Sequence, residues 1–271
     1  MGGMERSSGR KRSINNRCAE DLEKPKELQL PSALGYVRDP DSSQLGLVFE
    51  LLGPLSIAGP PSLYIQFNST LKPSLNVRLK MAQELATSLE HLHASRWLHK
   101  GLRSDNILFL PSYDSDWTSF CLSGFDYSRP VGRGEMSDIP STHETHDLYR
   151  HPNVQFDVPR ESKYGFKEEH DIYSLGVVLM EIGSWQSIQQ FLGFDPKGHI
   201  SLRERRMSRA TVLEAESQNA LRSEIGERFS EAVELCLLRG PKSVIGEDYF
   251  LTSNSMDSLQ RPQEILRSIS L

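Results

Sequence analysis

The chain has 271 residues, 37% hydrophobic and 25% charged, with 31 Lys and Arg against 36 Asp and Glu for a formal net charge of −5. That is the composition of a globular protein, and the mildly acidic balance excludes a module held to nucleic acid by a basic face. No apolar run comes near the roughly 20 residues that span a bilayer, no secretory leader is legible, and three separated cysteines (Cys18, Cys121 and Cys236) suit a reducing compartment. The expectation is a soluble intracellular protein with no membrane span.

Residues 1–31 are polar and mixed in charge and read as a disordered or weakly helical tail. Arg10-Lys11-Arg12 is a basic cluster of the kind found in solvated tails. Glu20 to Leu28 has the pattern of a short helix stopped by Pro31. Two apolar runs, Leu34–Val37 and Leu45–Leu51, flank the turn-like Asp39-Pro40-Asp41-Ser42-Ser43 and predict a β-hairpin. Leu52 to Ser62 carries Gly53-Pro54 and Gly59-Pro60-Pro61, which mark a linker.

The clearest helix is Ser74–His93. Leu75, Leu79, Ala82, Leu85, Ala86, Leu89 and Leu92 recur at helical spacing, with Ser74 as N-cap and Arg78, Lys80, Gln83, Glu84 and Glu90 on the polar face. Asn106–Leu110 and Ser119–Leu122 predict two short strands around a polar turn at 111–116. Residues 128–170, rich in Pro, Gly, Asp and His, read as loop. Asp171–Ile182 is a second strong helix, with Asp171 as a candidate N-cap. Helical patterns return at Ser201–Ala220, Glu224–Leu238 and Gln260–Ser270.

In order along the chain, several of these pieces resemble the protein kinase fold. They are the hairpin, the long helix, the loop His99-Lys100-Gly101-Leu102-Arg103-Ser104-Asp105-Asn106-Ile107-Leu108-Phe109, the strand and turn Cys121–Pro130, the segment Tyr149-Arg150-His151-Pro152, and the helix opening Asp171-Ile172-Tyr173-Ser174. The resemblance is good over roughly residues 33–183 and looser beyond. Within that fold the chain is similar to fungal kinase-like domains often linked to HeLo-type prion-inhibition-and-propagation domains. No such helical domain is legible in this sequence. The resemblance implies an α+β architecture, with a reduced N-lobe β-sheet and an α-helical C-lobe. It divides the chain into a tail at 1–31, remnant N-lobe strands and hinge at 32–67, and a C-lobe at 68–271.

A kinase needs a glycine-rich cover for the phosphates, a strand lysine with its glutamate, a base aspartate and two metal ligands. No G-x-G-x-x-G flanked by strands precedes the hairpin, and Lys11, Lys24 and Lys26 follow no strand of the V-A-I-K kind. The resemblance places Gly101 where the base aspartate belongs. Arg103 falls where kinases place a lysine that contacts the transferring phosphate, and Asn106 at a metal ligand. His99 is implied to brace the loop and Asp171 to hold its backbone. In one register Gly124-Phe125-Asp126 replaces D-F-G, so the second metal ligand is glycine. In a shifted register Asp126 takes that role, and Asn106 with Asp126 forms a weak site for magnesium and nucleotide. Asn153 stands in place of the glutamate of A-P-E, and Trp185 is expected in the core.

His143-Glu144-Thr145-His146-Asp147, with His151 nearby, gathers metal-ligand residue types but lacks the spacing of a zinc motif. The favoured expectation is a catalytically inactive pseudokinase acting through a protein partner, with no catalytic residue and no cofactor. One alternative is a residual kinase that uses ATP and Mg²⁺ for phosphoryl transfer to Ser, Thr or Tyr. Another is a truncated fragment of a larger signalling protein.

Overall fold

The structure, a computed structural model, describes residues 26–38, 45–50, 59–68, 71–109, 117, 119–131, 143–155, 165–195 and 198–238. The hairpin turn, most of the linker, residues 20–25 of the first expected helix and the helix expected at 260–270 lie outside the described residues. Of that first helix, a single 3-10 turn at Lys26–Leu28 is described.

Strands β1 (Ser32–Arg38) and β2 (Leu45–Glu50) form an antiparallel ladder. Pairing runs Ala33 to Phe49 and then Gly35 to Val48, so Leu34 is the extra residue of a β-bulge. This small sheet leaves Leu34, Leu47 and Phe49 exposed. The segment just before it is tied to the helical part: Ser88 Oγ donates to the Leu28 carbonyl at 2.7 Å, and the Leu122 N–H to the Gln29 carbonyl at 2.7 Å.

A short helix that the sequence pattern does not announce, α1 (Leu63–Gln66), follows the Pro-rich linker and is capped by Ser62. Helix α2 (Leu75–Ala94) buries Leu79, Ala82, Leu85, Ala86, Leu89 and Leu92 of the expected stripe, whereas Leu75, at its first residue, is exposed. Arg78 departs from its expected polar face. It is 5% exposed and gives its guanidinium to the Gly183 carbonyl. That carbonyl lies in the last turn of a neighbouring helix, where carbonyls lack intrahelical partners.

That neighbour, α3 (Glu168–Ser184), is the axis of the molecule. Every residue from His170 to Gly183 is buried, so the helix is packed on all sides. It begins three residues earlier than expected, with Lys167 as N-cap. Asp171 is therefore no N-cap; it sits within the first turn and is free to aim sideways.

Past α3 come α4 (Ile188–Phe191), α5 (Leu202–Leu213), α6 (Ala215–Ile225) and α7 (Glu227–Leu238). The single helix expected at 201–220 is two helices, because Glu214 is extended at φ −61°, ψ 146°. Phe67, Trp185, Trp117 and Phe109 form an edge-to-face chain, with ring centroids 5.4, 5.2 and 5.4 Å apart, that fastens α1 to the end of α3. The two-residue strands β3 (Trp97–Leu98) and β6 (Arg129–Pro130) pair, as do β4 (Ile107–Phe109) and β5 (Phe120–Leu122). The stretch read as polar loop holds β6 and two 3-10 turns, at Glu144–Leu148 and Pro152–Val154, and it buries Asp147, Leu148 and Tyr149.

Candidate functional site

The loop from His99 to Asn106 leaves β3, crosses the N-terminal end of α3 and enters β4. Asp171 fixes that crossing. Its carboxylate accepts the N–H of His99 at 2.7 Å and of Lys100 at 2.8 Å, and lies 3.2 Å from His93 Nε2. Charge-assisted bonds of this length are among the strong ones. They hold Lys100 at φ +63°, a left-handed conformation that an ordinary side chain disfavours. His99 is fully buried. Its Nδ1 accepts the Gly101 N–H at 3.2 Å, and its ring lies 4.4 Å from that of Phe125. Burial drops its pKa to about 4, despite the opposing pull of Asp171, so the ring is neutral near pH 7.

Gly101, Asn106 and Gly124 meet at one point. The Asn106 amide donates to the Gly101 carbonyl at 2.7 Å. A Cβ built on Gly124 would fall 2.0 Å from Asn106 Nδ2 and 2.3 Å from its Cγ. A Cβ on Gly101 would fall 2.9 Å from the Gly124 carbonyl oxygen. Gly124 is also left-handed, at φ +79°. The two glycines and the amide thus fill the space in which two aspartate side chains would have to begin. Asp126 projects from the exposed face of the turn Phe125–Tyr127, where its charge acts on Arg103.

Magnesium needs near-ideal octahedral oxygen ligation, supplied by one or two carboxylates together with substrate phosphates. Gly124 offers no carboxylate, and Asn106 turns its amide nitrogen to a backbone carbonyl. The carboxylate position at Gly124 is therefore empty of an oxygen ligand, while Asn106, which bonds through its nitrogen, keeps its amide oxygen. Among the described residues no group of three or more His, Cys, Asp and Glu converges to hold a metal, the stacked pair His143 and His146 included.

Arg103 is partly buried, which lowers its pKa against the pull of Asp105. Its Nε lies 3.9 Å from the Asp105 carboxylate, and burial raises the pKa of Asp105.

A buried polar network lies beneath the loop. The Ser104 and Tyr149 hydroxyls are 2.8 Å apart, and the Tyr149 hydroxyl donates to Glu181 Oε1 at 2.7 Å. That oxygen also accepts the Ile188 N–H at 2.7 Å. Burial pushes Glu181 up to about 8 and raises Tyr149 as well. Asp147, 1% exposed, accepts Arg150 at 2.8 Å and Arg205 of α5 at 2.7 Å. Asp147 thereby ties this stretch to α5, alongside the Tyr149 bond to Glu181 of α3. Sequence pattern alone singles out neither Glu181 nor Asp147. Glu181 had a signal, as the one acid within the apolar run Ile172–Ile182. Asp147 stands out only as part of the cluster 143–147 that gathers metal-ligand residue types, and its partner is Arg205.

Comparisons with known proteins bear on the fold. The serine/threonine-protein kinase Doa of Drosophila melanogaster is 29% identical over 173 residues, which are 59% of this chain and 19% of that protein. The wall-associated receptor kinase-like 21 of Arabidopsis thaliana is 30% identical over 157 residues, 52% of this chain and 24% of that protein. The chain thus spans about a fifth of the length of these curated relatives. The twitchin kinase region from C. elegans superposes with a TM-score of 0.58 at 14% identity, over 87% of this chain and 35% of that one. The α+β fold is kinase-like. A family profile described as "Domain of unknown function (DUF7580)" matches residues 48–240, most of the chain, and the chain belongs to that family.

Proposed function

We propose that this kinase-like domain is a pseudokinase, a regulatory or binding module in intracellular signalling that works through a protein partner. The reading rests above all on the contact of Gly101, Asn106 and Gly124. Kinases rely on charge placed around the transferring phosphoryl group. In this chain the base position has no side chain, and the position of the second metal ligand is a glycine packed against an amide. The similarity to fungal HeLo-linked kinase-like domains belongs to the same proposal and suits a signalling role.

Thermal unfolding with and without MgATP, paired with a phosphate-incorporation assay, tests the proposal. A ligand at a hundred times its Kd adds about 2.7 kcal/mol of stability, which is several degrees in Tm for a domain of this size. The expected result is no shift on that scale and no incorporation. Because the carbonyl of Gly124 blocks a side chain at 101, the single variant Gly101→Asp is expected to stay inactive too. Incorporated phosphate that disappears in Asp126→Asn or Asp105→Asn would overturn the proposal.

A further inference from the structure

The hairpin of β1 and β2 shows apolar side chains to solvent. Leu34, Leu47 and Phe49 are 45, 63 and 40% exposed. Val48 is half-buried and pairs with the buried Gly35, so it turns inward. Its neighbours Leu47 and Phe49 turn to the other face, opposite Tyr36 and Ala33. A two-stranded ribbon is marginal in water and gains stability from a further strand or a packed helix. Among the described residues no strand pairs with the outer edge of β1 or of β2.

The two edges differ. β1 carries the bulge at Leu34 and ends on Arg38, and bulges and charges are devices that keep an edge from pairing. The edge of β2 has neither over Leu45-Gly46-Leu47-Val48-Phe49, which is also free of proline. Antiparallel pairing of this strand with its own copy is in register when Leu47 lies on the twofold axis. Leu47 then meets its counterpart, Gly46 meets Val48, and residue 45 meets Phe49. Outward residues face outward ones, and a slip by one residue would destroy the match. No like charges are opposed. The charged ends also complement each other. Arg38 pairs with residue 45 within the hairpin, so the Glu50 end of one copy arrives beside the Arg38 end of the other. Two strand spacings, about 10 Å, separate them, which is comparable with the Debye length at physiological salt.

We propose that the edge of β2 docks a second copy of this chain, giving a twofold dimer with a four-stranded sheet in the order β1-β2-β2-β1. Main-chain hydrogen bonds supply the affinity, and the row of Leu47 and Phe49 sets the register. A strand this short makes an interface below the roughly 1,200–2,000 Å² of stable complexes. The dimer is therefore reversible and forms at raised concentration. This pairing goes beyond the reading of the loop and does not depend on whether the domain transfers phosphate.

Sedimentation equilibrium of the whole chain across a wide range of concentration tests the pairing. The average mass is expected to rise towards that of two chains. Leu47→Lys sets two lysines across the axis and is expected to weaken dimerisation about tenfold or more. Ile65→Lys, at an exposed apolar residue of α1, leaves the dimer unchanged. Circular dichroism checks that Leu47→Lys is folded, and a pair of cysteine variants decides the matter if it is not. These are made with Cys18→Ser, while Cys121 and Cys236 are buried, and are oxidised with diamide. Leu47→Cys is expected to cross-link into a dimer. Phe49→Cys is expected to stay unlinked, because its counterpart lies roughly 14 Å along the strand, beyond the reach of a disulfide. A mass that stays at one chain throughout overturns the proposal. Hydrogen exchange then tells why, since protected β2 amides in a monomer would put another segment of the chain, such as residues 1–25, on that edge. A dimer untouched by Leu47→Lys, or equal cross-linking through positions 47 and 49, overturns it as well.

Discussion

Gly124 carries two separate constraints, and they predict one outcome. Its φ of +79° costs an L-residue about 1–2 kcal/mol. A methyl group there would also push the Asn106 amide off the Gly101 carbonyl, a bond worth about 1 kcal/mol. Gly124→Ala is therefore expected to lower unfolding stability by about 2–3 kcal/mol, read as a fall in the urea midpoint with m unchanged. Asp171 makes the opposite kind of contribution, through what its side chain supplies. Asp171→Asn keeps the shape but loses the charge, and one of its amide ends would face backbone N–H groups. A loss of about 1.5–3 kcal/mol is expected, together with faster hydrogen exchange at the His99 and Lys100 amides. If exchange there were unchanged, the loop would be held by something other than this carboxylate.

Helices α3 and α7 are packed so closely that a small residue is required between them. A Cβ on Gly176 would lie 2.8 Å from the Cβ of Cys236 and 3.2 Å from Leu237. Helix propensity alone favours alanine over glycine by about 1 kcal/mol. Cβ of Cys236 is anchored to its backbone and cannot swing aside, so overpacking of about 1–3 kcal/mol wins. Gly176→Ala is expected to destabilise, and a higher Tm would show that the helices can slide apart at little cost. At this scale the sequence was a good guide where period decides structure. The stripe of α2 and the apolar run of α3 were both legible from spacing. The break at Glu214 was not, because 201–220 keeps a helical pattern through a residue whose backbone is extended. Arg78 was placed on the wrong face for a similar reason: its partner is the Gly183 carbonyl, 105 residues away. The degenerate loop was legible as a spelling, Gly101 among otherwise familiar residues. That Asn106 fills the space above Gly124 depends on two segments meeting and could not be read from either.

Across the whole molecule, buried titratable groups set an acid limb and an alkaline limb on stability. His99 and His170 are each depressed to about 4 and His146 to about 3, with burial the leading cause at all three. His151, stacked on His170 with ring centroids 5.3 Å apart, is depressed further, again chiefly by burial. The folded state holds these rings neutral while the unfolded chain takes up protons near pH 6.5. Their contribution is complete about one unit above that pH and is lost as pH falls through 6.5 towards 4. Glu181 works in the other direction. Its folded pKa of about 8 exceeds the unfolded 4.5, so its contribution is complete below pH 4.5 and is lost as pH rises through 8. Between pH 4.5 and 6.5 four histidines oppose one glutamate and stability climbs. The unfolded histidines are half protonated at pH 6.5 and nearly neutral only above about pH 7.5, so Glu181 outweighs them only above about pH 7 and drives a shallow decline of less than about 1 kcal/mol. The stability curve is expected to peak at about pH 7 and to fall more steeply on its acid side. Glu181→Gln isolates the alkaline limb. Glutamine keeps an oxygen for Tyr149 and for the Ile188 N–H, and it has no proton to lose. Urea unfolding at half-unit pH steps should then show a somewhat steeper acid limb in the variant and a curve that levels off above about pH 7.5 without declining to pH 8. A decline that persists in Glu181→Gln would mean that some other buried group loses its proton in that window, and that the alkaline limb does not belong to the Glu181 carboxyl.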